Sequence, residues 1–265
     1  MGVVASRDGL TIHYEVDLPA GATGDAGSVV LLHAAGADGS AWERLDWIEP
    51  LARAGLRVIR PDARGYGRSG RVAEPRLLAG SPCVDDIAAV LDAEGVEAAH
   101  LAGYSMGACH ALRFPEAQPH RVRSLVLGGV IVGALAIQGL HLAAEERAED
   151  QRLLALRQLD GALERLSGGA AEVVRAAHEV VRTEPLSRPD LSRAQVPALV
   201  AAGGGDPASE PWIRTELARL LPGARVLVLE GRDHVACLAD PRLRDAVVSF
   251  LDGQREARGE PSPSL

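Results

Sequence analysis

Three residues have the types needed for nucleophilic attack on a carbonyl group: Ser105 in "LAGYSMGACH", Asp206 in "GGGDPASEP" and His234 in "EGRDHVACLADP". A serine hydroxyl is a poor nucleophile until a base takes its proton. A neutral imidazole serves as that base when a carboxylate fixes its tautomer and stabilises the cation that forms. A GxSxG pentapeptide is weak evidence by itself in a chain with 29 glycines. Its surroundings add the weight, because an apolar run precedes Ser105 and a helical pattern follows it, which puts the serine on a tight strand-to-helix turn. Gly103 and Gly107 then have a steric task, since a side chain at either place would crowd that turn. The helix start also points the Met106 N–H toward the position where an oxyanion would form. Asp233 rivals Asp206 as the acid, but its adjacency to His234 makes the far ring nitrogen hard to reach.

Such residues work only if the fold carries them to one place. Six continuous apolar runs read as buried parallel strands: 28–34, 56–62, 98–105, 122–130, 196–204 and 224–231. The run at 10–16, "LTIHYEV", alternates instead and suggests an antiparallel edge hairpin partner. Helical patterns lie between the runs. Ser40 is the expected cap of one, Ser81 with Pro82 opens a second, and Pro241 opens a third. Repeated strand, helix, strand order predicts right-handed crossovers onto one parallel sheet. Ligands of such sheets bind beyond the carboxyl ends of the strands, where His33, Asp62, Ser105, Asp206 and His234 all fall.

Residues 134–194 break the alternation with helical patterns and no strand, which predicts a helical insertion over the sheet edge. The expected division is a core of 1–133 and 195–252, a cap of 134–194 and a disordered tail of 253–265 rich in Pro, Ser and charge.

Composition narrows the partners. The chain has 265 residues, 47% of them hydrophobic, enough for one substantial core. A net charge of −8 without a basic run argues against nucleic acid or an anionic membrane surface. The N-terminal stretch does not read as a signal peptide, and the apolar run at 124–140 is broken by glycines and too short for a confident span, so a cytoplasmic location is expected. Three scattered cysteines without a CxxC argue against a disulfide framework, and the absence of an HxxxH or comparable cluster argues against a metal. Cys109 and His110 read as packed helix residues, Trp42 and Trp47 as packing residues, and Asp62 and Arg64 as groups that fix loop geometry.

The order Ser, Asp, His along the chain, each just past a strand, resembles the α/β-hydrolase superfamily. "LLHAAGADGSAW" is similar to that family's oxyanion loop, and "RPDARGYGRSG" to its DxRGxGxS element. The resemblance spans roughly residues 10 to 250. It implies an α/β-hydrolase fold: a mostly parallel twisted sheet with helices on both faces and an inserted helical cap. It also implies Ala35 N–H as the second oxyanion donor beside Met106 and a loop-shaping role for His33. One departure is Ala34, where the family usually has glycine. Candidates for lining the pocket are His33, Ala34, His110, Ile137, Leu140, His141 and Val235.

The expected activity is cleavage of a small, mainly apolar ester or lactone without a cofactor. The same three residues could support acyl transfer, carbon–carbon bond hydrolysis, a cofactor-free haloperoxidase or perhydrolase reaction, or a slow-turnover ligand sensor.

Overall fold

The computed structural model describes residues 1–19, 27–72, 74–142, 147–165, 168–192, 194–221 and 223–257. The chain begins with the strands β1 (Gly2–Ala5), β2 (Thr11–Asp17) and β3 (Ser28–Leu32), then the short helices α1 (Ala41–Arg44) and α2 (Ile48–Arg53). β4 (Arg57–Pro61), α3 (Ser81–Ala93), β5 (Ala99–Tyr104), α4 (Met106–Ala117) and β6 (Val122–Gly128) follow. Then come α5 (Val132–Ile137), α6 (Ala148–Arg165) and α7 (Gly168–Thr183), and finally β7 (Ala198–Gly203), α8 (Pro211–Leu220), β8 (Arg225–Leu229), α9 (His234–Leu238) and α10 (Pro241–Ala257).

The strands form one eight-stranded sheet in the order β1-β2-β4-β3-β5-β6-β7-β8. β1 and β2 pair antiparallel, as do β2 and β4; every other pairing is parallel. The mostly parallel sheet expected from the continuous apolar runs is therefore present. β3, β5 and β7 are buried along their whole length, because helices cover both faces. One apolar cluster joins Ile87, Leu101, Leu112 and Leu125 on one side of the sheet; the other joins Trp42, Trp47, Val126, Leu243 and Phe250. The two tryptophans meet edge to face at 5.2 Å, as packing residues do.

Several local expectations are corrected. β2 is an inner strand, since the short β1 takes the edge position. β8 is the opposite edge, so Arg225 and Val226 are exposed where a strand buried on both faces was expected. Ser40 precedes α1 but gives it no side-chain cap; its hydroxyl donates to the Asp38 carboxylate instead. α3 does open at Ser81 with Pro82 in its first turn, as expected, after Gly80 at φ +72. α10 continues through Ala257, so 253–257 is helical rather than part of a tail, and 258–265 lies outside the described residues. Leu243, Val247, Phe250 and Leu251 of α10 belong to the apolar cluster, and past the expected boundary the buried Arg255 donates to the Ala54 carbonyl. No helix among the described residues is long and apolar enough to cross a membrane.

Polar ties fix the loops at the carboxyl ends of the strands. The side chain of Arg64 is 2% exposed. Its Nε and Nη2 donate to Asp86 at 2.7 and 2.6 Å, its Nη1 to Asp8 at 2.9 Å, and Nη2 also reaches the Pro82 carbonyl at 3.1 Å. One guanidinium thus joins the loop after β4 to α3 and to the β1–β2 turn. Arg64→Ala would leave the Asp86 carboxylate buried without its cation, and the expected loss is about 3–5 kcal/mol of unfolding free energy. Urea titration should show this as a lower midpoint at unchanged slope; a loss below about 1 kcal/mol would contradict the role given to this cluster.

Candidate active site

Ser105 joins β5 to α4 with φ 53 and ψ −113. Positive φ is rare for a residue with a side chain; among the described non-glycine residues it occurs only here and at Asp46. The turn is forced by close backbone approach on both sides. A Cβ on Gly103 would overlap the Gly107 carbonyl group, and one on Gly107 would overlap the Leu32 carbonyl at the end of β3. Both glycines of the GxSxG motif therefore answer a steric demand. The Ser105 N–H donates to the Gly128 carbonyl at 2.8 Å, and its own carbonyl accepts the first α4 bonds from Ala108 and Cys109. The residue is 5% exposed.

Asp206 lies in the turn after β7, and His234 begins α9 after β8. His234 Nδ1 and Asp206 Oδ2 are 2.6 Å apart. The Asp206 side chain is fully buried while that of His234 is 27% exposed. Burial pushes the Asp206 carboxyl up, but the hydrogen bond and charge of His234, together with the Ala208 and Ser209 N–H groups, outweigh it and leave the carboxyl below its usual range. Asp206 is thus held ionised, and its contact assigns the proton to Nδ1 and leaves Nε2 as the basic nitrogen. Asp233, the rival acid, is engaged as the N-cap of α9, where it accepts the Ala236 N–H at 2.8 Å. The Ser105 hydroxyl makes no hydrogen bond to His234 among the described residues; such bonds often close only once the substrate is seated.

The strand ends next to Ser105 are held by His33. Its Nδ1–H donates to the Ala34 carbonyl at 2.8 Å, and its Nε2 accepts the Ala63 N–H at 2.9 Å. Both ring nitrogens are used within the loops, and burial lowers the pKa, so His33 is a neutral fastener and not a base. The Ala34 carbonyl also accepts from Ala37 N, closing a turn that contains Ala35 and Gly36 with φ +78. Met106 is the first residue of α4, where an N–H has no acceptor within the helix.

The remaining pocket candidates scatter. His33 and His110 face an enclosed cavity of about 20 Å³ with Asp62, Arg64 and Cys83. Burial pushes His110 down to about 3, and its Nε2 accepts from the Gln138 amide at 3.0 Å. Ile137 borders an open groove of about 650 Å³ beside Arg113 and Val180. Leu140 and His141 are buried, Ala34 is half-buried, and Val235 is 77% exposed. Two residues outside the candidate set prove central. Gln138 is 1% exposed and joins α5 to His110 and, through its Oε1, to the Gly80 N–H. Tyr104 donates its hydroxyl to the His234 carbonyl at 2.7 Å. Position next to the serine was the only sequence signal for Tyr104; Gln138 carried none. Among the described residues no group of three or more His, Cys, Asp or Glu side chains is placed to hold a metal.

Comparisons with known proteins show the family and the fold. The family described as "Alpha/beta hydrolase family" matches over residues 29–248. A provisionally named carbamate hydrolase, RutD, of Azorhizobium caulinodans is 31% identical over 238 residues, covering 82% of this chain and 88% of its own. The rhodomycin D methylesterase DauP of a Streptomyces species is 30% identical over 271 residues, covering 85% and 91%. Among solved structures, the enol-lactonase of Burkholderia xenovorans LB400 superposes with a TM-score of 0.70 at 24% identity, covering 94% of this chain and 99% of its own, a likeness of fold.

The depressed pKa of Asp206 has a measurable consequence. A carboxyl whose native pKa lies below its unfolded value contributes stability that is fully present above the ordinary aspartate range and is lost as pH falls through the native value. The stability difference between the wild type and Asp206→Asn is expected to stay constant near neutrality and to narrow on acidification, read as urea midpoints from about pH 7 to about pH 3. A difference that widens in acid would contradict the ionised pairing.

Proposed function

The chain belongs to the alpha/beta hydrolase family, and from that premise we propose that it is a serine hydrolase cleaving a carboxylic ester or lactone of a small, mainly apolar compound through an acyl-enzyme. The observation that carries this reading is the strained turn at Ser105, in the same set of strand ends as an imidazole already bonded to a buried carboxylate.

In the proposed mechanism His234 Nε2 takes the Ser105 Oγ proton as the oxygen attacks the acyl carbon. The carbonyl π electrons move onto the carbonyl oxygen, which the Met106 and Ala35 N–H groups hold. Collapse of the tetrahedral intermediate breaks the bond to the alkoxy oxygen, and the imidazolium returns its proton to that leaving group. Water then attacks the acyl-enzyme with the same base, releasing the acid and restoring Ser105. Asp206 orients the ring throughout and stabilises its charged form.

The substrate class follows from access and surroundings. A nucleophile only 5% exposed favours a compact substrate that is enclosed rather than a polymer laid across a surface. α5 carries no charged residue, and its Ile137 borders the groove beside Val180. In this reading residues 134–194 act as a cap whose α5 is fastened to the core by Gln138.

Turnover of p-nitrophenyl esters of increasing acyl length tests the proposal. The wild type is expected to prefer short chains, with kcat falling by ~10³-fold or more in Ser105→Ala and His234→Ala and by ~10³–10⁴-fold in Asp206→Asn. Ester turnover that survives Ser105→Ala would overturn it. Products formed with excess alcohol separate hydrolysis from acyl transfer.

A further inference from the structure

We propose that Tyr104 is a positioning residue that sets His234 at its working height over the nucleophile; this rests on the reading of Ser105 and His234 as nucleophile and base. Tyr104 is the last residue of β5 and is covalently joined to Ser105. Its hydroxyl donates to the His234 backbone carbonyl at 2.7 Å, and its ring lies against the imidazole with centroids 5.2 Å apart at 51°. One side chain therefore links the turn that carries the nucleophile directly to the residue that carries the base.

The slot that holds this ring is built from the absence of side chains. A Cβ on Gly128 would come within 2.6 Å of Tyr104 Cδ2, and one on Gly129 within 2.6 Å of Cζ. Gly129 also has φ +55, which its lack of a side chain permits. The slot is pinned on both sides: Gly129 N–H donates to the Ala201 carbonyl and Ser105 N–H to the Gly128 carbonyl, each at 2.8 Å. Tyr104 is 2% exposed, and burial raises its phenol far above the usual range, so the hydroxyl stays a donor wherever the protein is folded.

His234 is then gripped at two points with different effects. The Asp206 contact at Nδ1 fixes the orientation of the ring. It cannot fix where the backbone of α9 stands, since rotation about the side-chain bonds could keep that contact from a shifted backbone. The Tyr104 hydroxyl fixes the carbonyl and thus the backbone. α9 is a single short helix after an edge strand, supported further by the Trp47 indole N–H to the Leu238 carbonyl at 3.3 Å. A displacement of about 1 Å between reacting groups can cost on the order of 100-fold in rate, so a hold of this kind bears on catalysis and not only on folding.

Tyr104→Phe removes the hydroxyl and keeps the ring that fills the slot. The expected result is a fall of ~10–100-fold in kcat on p-nitrophenyl acetate with KM changed less than about twofold, because the hydroxyl acts on the base and not on the substrate. Gly129→Ala, which crowds the ring while leaving the hydroxyl, should lower kcat in the same direction. The NMR resonance of the His234 Nδ1–H proton, assigned by its loss in Asp206→Asn, reports the hold without any turnover and should broaden in Tyr104→Phe. A kcat within about twofold of wild type with a sharp Nδ1–H resonance, at whatever melting temperature, would reduce Tyr104 to a packing residue and overturn the proposal. If Ser105→Ala kept full ester turnover, the catalytic reading would fail and the positioning role in this reaction with it, whereas an unchanged resonance would count against Tyr104 alone.

Discussion

The close passage of the β5–α4 turn beneath the end of β3 is the constraint on which the rest of the site depends. With no Cβ at Gly103 and Gly107, the first turn of α4 lies directly against the Leu32 carbonyl, and the chain can connect strand to helix only by taking Ser105 through φ 53. A non-glycine residue in so sparsely populated a conformation costs about 1–3 kcal/mol and persists only when its surroundings over-determine it. Here the over-determination is visible: its own strand β5 and the neighbouring β3 are fully buried, and the Ser105 N–H is held by the Gly128 carbonyl.

Around this turn the structure divides its polar groups by task. His33 and Arg64 spend their hydrogen-bonding capacity on fastening loops, His33 to backbone groups and Arg64 to α3 and the β1–β2 turn. Among the described residues His234 is bonded through Nδ1, is less buried than its acid, and receives its orientation from a carboxylate held below its usual range. In the proposed reading the same residue type is a fastener at one strand end and a base at another, and the difference lies in how many of its ring nitrogens the backbone already occupies.

The elements carrying Ser105, Asp206 and His234 were legible because parallel strands buried on both faces leave continuous apolar runs, and because chemistry on such sheets collects at the carboxyl ends. The pairing of His234 with Asp206 over Asp233 was legible for a geometric reason, and the structure supplies the rest by giving Asp233 the α9 cap. What the residues did not announce were roles created by tertiary contact. Tyr104 looks like any aromatic in a strand until Gly128 and Gly129 are seen to make room for it, and those glycines lie on a neighbouring strand end. Gln138 looks like a polar helix end until its amide is seen to tie α5 to His110 and Gly80. Ser40 misled for the opposite reason: a side chain able to cap found a better acceptor in Asp38.

The most direct test of the central claim is intact-mass analysis after reaction with a fluorophosphonate, with the adduct mapped by peptide sequencing. The account predicts a single adduct on Ser105, absent in Ser105→Ala and formed far more slowly in His234→Ala. A folded wild-type protein that forms no adduct at Ser105, or forms it equally fast without the imidazole, would contradict an activated nucleophile at this turn.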